Sequence, residues 1–157
     1  MILKLIYTLF LALLIASFVG LGIDAFYPGP KEPVYPSELS VVKQPGCEET
    51  QQERDLRIGF ENDQKAFQET SKGYNRNVSM LSLTAAIIIL IASLTLFAKI
   101  KMIADGILLG GVFTTIYGII RGLMSEDSRF RFLIVTVGLI IALVLGYIKF
   151  IRPKEQE

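Results

Sequence analysis

Histidine and tryptophan are both absent from these 157 residues, and there is one cysteine, Cys47. Without histidine the usual general base is missing, and with it every Ser/His or Cys/His arrangement for nucleophilic catalysis. Zinc needs several Cys or His ligands, so no metal site is expected. A lone cysteine cannot close an internal disulfide, and its ordinary reading is an incidental thiol. No Gly-rich phosphate loop follows a strand. An excess of one charge is lacking too: 16 Lys and Arg against 15 Asp and Glu leave +1. The basic residues are scattered, which disfavours a nucleic-acid partner. No cofactor is expected, and an enzyme would have to work with loop carboxylates such as Glu48 and Glu49.

What the chain does have is apolar sequence. Apolar residues make up 52% of it, unusual for a soluble domain, and they gather at 5–23, 78–98, 102–120 and 132–148. Each run is 17 to 21 residues long; at about 1.5 Å per residue that is roughly 25–30 Å, enough to cross a hydrocarbon core. The expectation is four transmembrane helices, with membrane lipid as the first partner. The first run, preceded by Lys4, also has the outline of a signal peptide. Ile23, however, sits where a small residue is wanted before a cleavage point, and the run is long for a signal core. A retained span, 1–25, is expected.

Lys and Arg in short loops and near span ends set orientation, whereas long loops cross largely regardless of charge. With the N-terminus inside, six basic residues lie on the inner side (Lys4, Lys99, Lys101, Lys149, Arg152, Lys154) and three in the short outer loop (Arg121, Arg129, Arg131). That favours cytoplasmic N- and C-termini in a plasma (inner) membrane, with the long polar loop between the first two spans outside.

The loop has two parts. In 26–49 there are five prolines, including Tyr27-Pro28-Gly29-Pro30 and Tyr35-Pro36, which forbid helix and favour extended geometry. This part reads as an extracytoplasmic tether, with Phe26 and Tyr27 at an interfacial aromatic belt. In 50–77 the composition turns to Glu, Gln, Arg and Lys. Thr50 and Glu53 have capping-box spacing, and Glu53/Arg57 and Glu61/Lys65 are paired four apart in the favourable order. A charged helix is expected from about 51 to about 72.

Its apolar residues Leu56, Phe60, Phe67 and Tyr74 fall within about 40° of one another, a narrow stripe, with Ile58 on the opposite side. Such a stripe suits one partner surface. Phe60, Phe67, Tyr74 and Leu81 are seven apart, so the register runs across Gly73 toward the second span. One long rod running on into the second span is expected, with a break between 73 and 77 as the alternative.

Three spans carry small residues four apart: Ala12/Ala16/Gly20, Gly106/Gly110/Thr114/Gly118/Gly122 and Gly138/Ala142/Gly146. Close approach at small residues is a main source of helix association in lipid. The third-span row drifts about 40° per step and about 160° in all. One straight neighbour cannot meet all five positions, so either about three are used or two partners are met at opposite ends. The second span instead places Ser79, Ser82, Ala86 and Ser93 near seven-residue spacing, suited to a left-handed crossing. Its hydroxyls can also bond back to their own helix.

Asp105 is the one acid near a span. An interfacial pair with Lys101 is expected, and ion coupling through Asp105 is the alternative. Arg121 and Lys149 read as snorkelling anchors. Asn77-Val78-Ser79 matches a glycosylation acceptor but abuts the membrane. No family motif is legible.

The expected fold is an all-α membrane protein: four transmembrane helices in a bundle, with a Pro-rich tether and a long charged extracytoplasmic helix between the first and second spans, and 78–157 holding three spans, short loops and a cytoplasmic tail. The expected function is non-catalytic: an assembly or interaction subunit, with a membrane protein partner or a homo-oligomer. A transport or channel component working as an oligomer is the alternative.

Overall fold

In a computed structural model, residues 2–40, 50–95 and 100–151 are described. Cys47, Glu48, Glu49, Lys99, Arg152 and Lys154 lie outside them. Helix α1 spans Ile2–Phe26, α2 Gln51–Thr95, α3 Lys101–Leu123 and α4 Ser128–Gly146, with a short 3-10 turn at Ser37–Ser40 and a π turn at Tyr147–Ile151. No strand occurs among the described residues. All four α-helices are long and apolar enough to cross a membrane, the pattern of a multi-pass membrane protein.

Local chemistry accounts for the boundaries. α1 stops where Pro28 restricts the backbone of Tyr27, whose amide still donates to the Ile23 carbonyl at 2.7 Å. α2 starts at a closed capping box: the Thr50 amide donates to the Glu53 carboxylate at 2.8 Å, and the Glu53 amide donates to Thr50 Oγ1 at 3.3 Å. The outer loop expected around Arg121 to Arg131 shrinks to residues 124–127, because α3 continues to Leu123 and Asp127 caps α4. The Asp127 carboxylate accepts from the amides of Arg129 and Phe130 at 3.0 and 3.3 Å. Glu126 takes φ 58° in this turn.

α3 is the centre of the bundle. It packs most extensively on α2 and α1 and less on α4, while α1 only brushes α2. α1 runs parallel to α3, since Leu11 faces Gly106 and Ile15 faces Gly110. α2 runs antiparallel, since Leu90 faces Gly111 and Leu83 faces Gly118. The third-span row thus meets different partners at opposite ends, α1 at Gly106 and Gly110, α2 at Gly118 and Gly122, and Ile134 of α4 also at Gly122, with Thr114 buried between.

The apolar core is thin. The buried apolar side chains are Ala12, Val78, Leu83, Ala86, Leu90 and Ile134, while Leu3, Phe18 and Phe132 are each more than 75% exposed. Such a surface suits hydrocarbon, where close backbone contact rather than burial from water drives helix association.

Candidate functional site

The aromatic stripe of α2 is where sequence reasoning placed an interaction surface, and all four of its members are half-buried. At its lower end Tyr74 stacks on Tyr27, with ring centroids 5.4 Å apart and planes 12° apart. A β-carbon on Gly29 would stand 3.2 Å from the Tyr74 ring, so the Pro28-Gly29-Pro30 backbone passes close over it. Higher up, Tyr35 meets Phe60 edge-on at 5.1 Å. The Pro-rich segment therefore climbs α2, from Tyr74 to Phe60, while it runs from Tyr27 to Tyr35.

The rises agree. Eight residues of extended polyproline-like chain reach about 25 Å, and fourteen residues of helix reach about 21 Å. Beyond Phe60, Leu56 faces an open groove shared with Val34 and Pro36. Phe67 sits between the two aromatic contacts and has no ring partner among the described residues.

Below the stripe a polar cluster joins α2, α3 and the end of α1. Arg121 Nη1 donates to Asn75 Oδ1 at 3.0 Å and its Nε to the Tyr117 hydroxyl at 3.2 Å. The same guanidinium stands 5.7 Å from the Tyr74 ring centre and 5.5 Å from that of Tyr117, within cation–π range. Asn77 Nδ2 donates to the Tyr27 hydroxyl at 2.9 Å. Arg121 is thus a fastener between helices rather than the snorkelling anchor expected of it. An arginine suits this place because its planar fork donates to two oxygens while its face covers aromatic rings.

Next to the cluster, Lys72 pairs with Glu126 at 2.7 Å, tying α2 to the turn between α3 and α4. Hydrogen bonding from Lys72, then its charge, holds the Glu126 carboxyl below its ordinary value.

At the other end of the bundle, Asp105 pairs with Lys149 of the π turn, not with Lys101. Helical side chains lean toward the N-terminus, so Lys101 leans away from an acid four residues later, an order less favourable than its reverse. Lys149 reaches Asp105 from the neighbouring element instead. It too is engaged in an ion pair rather than acting as a lone anchor.

The small residues divide by surroundings. A β-carbon at Gly106, Gly110, Gly111, Gly122 or Gly138 would come within 3.0 Å of a neighbouring side-chain atom. On α1, Ala12 is fully buried, Ala16 is half-buried and Gly20 lies 4.0 Å from Tyr117 by the same measure. On α4, Gly138 abuts Ile119, whereas Ala142 is exposed and a β-carbon at Gly146 would meet nothing within 4 Å.

The serines of α2 split as well. Ser82 bonds back to the Val78 carbonyl at 2.8 Å, but Ser79 donates to the Gly118 carbonyl at 2.6 Å and Ser93 to the Ala104 carbonyl at 2.7 Å, both across to α3. Ser79 is fully buried in that bond, so the Asn77-Val78-Ser79 triplet is packing sequence rather than an accessible acceptor. Among the described residues no three carboxylates or thiols converge as metal ligands would.

Sequence reasoning missed the joining of Tyr27, Asn75, Tyr117 and Arg121 around Tyr74 and Asn77, and the meeting of Tyr35 with Phe60. Two signals pointed to part of it: the Tyr-Pro dipeptide recurs eight residues apart, and Phe60 and Tyr74 are fourteen apart on one helical edge. No known family model, curated protein or solved structure matches the chain.

Proposed function

We propose that this chain is a non-catalytic assembly subunit of a membrane complex, and that residues 51–77 of α2 form its docking element on the extracytoplasmic side. The observation that carries this reading is the aromatic stripe itself. Residues 51–72 of α2 reach about 33 Å, and of the apolar edge along them the Pro-rich segment takes up Phe60 while Leu56 borders an open groove and Phe67, half-exposed, meets no ring among the described residues. A charged rod that retains an apolar edge has a surface to offer a protein partner or a second copy.

The orientation in this proposal rests on charge. Lys4, Lys101 and Lys149 gather at the end where α1 and α3 begin, and Arg121, Arg129 and Arg131 at the other. Arg121 is tied into its cluster and Arg131 Nε donates to the Leu123 carbonyl at 2.8 Å. Those bonds are to neutral groups and leave the arginines charged, while Lys149 is paired with Asp105; what favours placing the start of α1 and α3 in the cytoplasm of the plasma (inner) membrane is the sequence count of six basic residues on that side against three.

The test is a paired substitution that spares the tether. Leu56→Ser with Phe67→Ser removes the open part of the stripe and keeps Phe60 and Tyr74, which hold the Pro-rich segment. The expected outcome is loss of a cross-linked, co-purifying partner or oligomer with expression and helix content unchanged. Assembly that persists in this variant would sink the docking reading.

A further inference from the structure

We propose that the cleft between the first turns of α1 and α3 binds one anionic phospholipid. The two helices are held together from Gly106 onward, where Leu11 fills the place of a missing side chain. Before that point they leave an open space of about 730 Å³ walled by the apolar Ile2, Leu5 and Met102 and carrying two lysines, Lys4 and Lys101.

Neither lysine has a carboxylate partner among the described residues. Asp105 also borders the cleft, but it is held by Lys149. The Thr8 hydroxyl is turned back onto the Lys4 carbonyl at 2.8 Å and is not aimed at the lysines. Two cations without a carboxylate partner among the described residues thus stand beside an apolar cleft at a helix end, where the membrane interface is expected.

The ligand chemistry follows from that pairing. A phosphodiester with net negative charge satisfies the lysines, and an acyl chain along Ile2, Leu5 and Met102 covers apolar walls; basic pockets between transmembrane helices take anionic headgroups in this way. A zwitterionic lipid offers the chain without the net charge, and a free phosphate ester offers the charge without the chain. Both halves of the cleft are used only by an anionic phospholipid, which would also brace the splayed ends of α1 and α3. This inference is independent of the docking role of α2.

The experiment is native mass spectrometry of the full, delipidated chain in detergent, titrated with dioleoyl-phosphatidylglycerol or dioleoyl-phosphatidylcholine. Phosphatidylglycerol is expected to bind one to one and at least about tenfold more tightly than phosphatidylcholine. Lys4→Gln with Lys101→Gln is expected to weaken phosphatidylglycerol by about fivefold per lysine, about twenty-fivefold together, while Lys65→Gln on the charged helix leaves it unchanged.

Equal binding of the two lipids by the unaltered chain, or an unchanged affinity in the double variant, overturns the proposal. Displacement of the lipid by millimolar glycerol phosphate alone overturns it in favour of a free phosphate ester. Should the double variant fail to purify, Leu5→Trp fills the cleft with both lysines kept. It must then weaken phosphatidylglycerol binding, and unchanged binding counts against the site equally.

Discussion

At Gly110 a β-carbon would stand 2.9 Å from Ile15 Cβ, an atom that cannot swing aside unless α1 moves, and 3.0 Å from its Cγ2, which the one favoured χ1 of a helical isoleucine holds in place. Gly110→Ala is therefore expected to destabilise the bundle: overpacking costs about 1–3 kcal/mol, against a gain of about 1 kcal/mol from replacing a helical glycine. Gly146→Ala meets nothing and is expected to keep that gain of up to about 1 kcal/mol. Graded SDS unfolding of the two variants checks the pair, and equal shifts would show that the approach of α1 to α3 contributes nothing. At this scale much was legible. Step-four spacing named Gly106, Gly110 and Gly118, and its drift left two readings, about three positions used at one crossing or two partners at opposite ends. Gly111 was overlooked because it lies off the ladder. One residue turns the helix by about 100°, so the adjacent pair Gly110-Gly111 bares two faces at once, one toward Ile15 and one toward Leu90.

At the scale of elements, α2 gathers the tether and the turn between α3 and α4 onto itself. Lys72 lies on it one residue before Gly73, and its pairing with Glu126 depends on a carboxylate whose folded-state value is depressed. A depressed acid contributes stability that is present above its unfolded value and lost as pH falls through the folded one. The tie is therefore intact at neutral pH and is lost only in acid, as pH falls through the lowered folded value. Lys72→Gln is expected to flatten the acid limb of melting temperature against pH; the change is small because the pair is exposed. An acid limb identical to that of the unaltered chain would show that Glu126 plays no part. Glu126 also sits at φ 58°, where a side chain is disfavoured, so Glu126→Gly relaxes the backbone while removing the pair. The capping box at Thr50 and the charged helix after it were readable because their causes are local. The contacts of that helix with Tyr27 and Tyr35 were not, since rings 25 to 47 residues apart in sequence carry no local mark of their meeting.

At the scale of the whole molecule, the orientation proposed from charge has a direct check in the native thiol. A membrane-impermeant maleimide is expected to label Cys47 on intact cells, and to leave Lys154→Cys in a Cys47→Ser background unlabelled until the membrane is opened. The reverse pattern would invert the topology. Composition and run length by themselves determined that the chain is helical and has four segments fit to cross a membrane, because crossing lipid requires backbone bonds satisfied within each apolar stretch. Periodicity determined which helix edges could approach closely. Only the tertiary structure decided that α3 lies between α1 and α2, that Asp105 belongs to Lys149, that Arg121 is bound rather than anchoring, and that the Pro-rich segment meets the stripe at Phe60 and Tyr74. Spans and edges follow from interactions within a few residues along the chain. Partners follow from which surfaces meet when four helices close together, and that choice is made by packing across long separations.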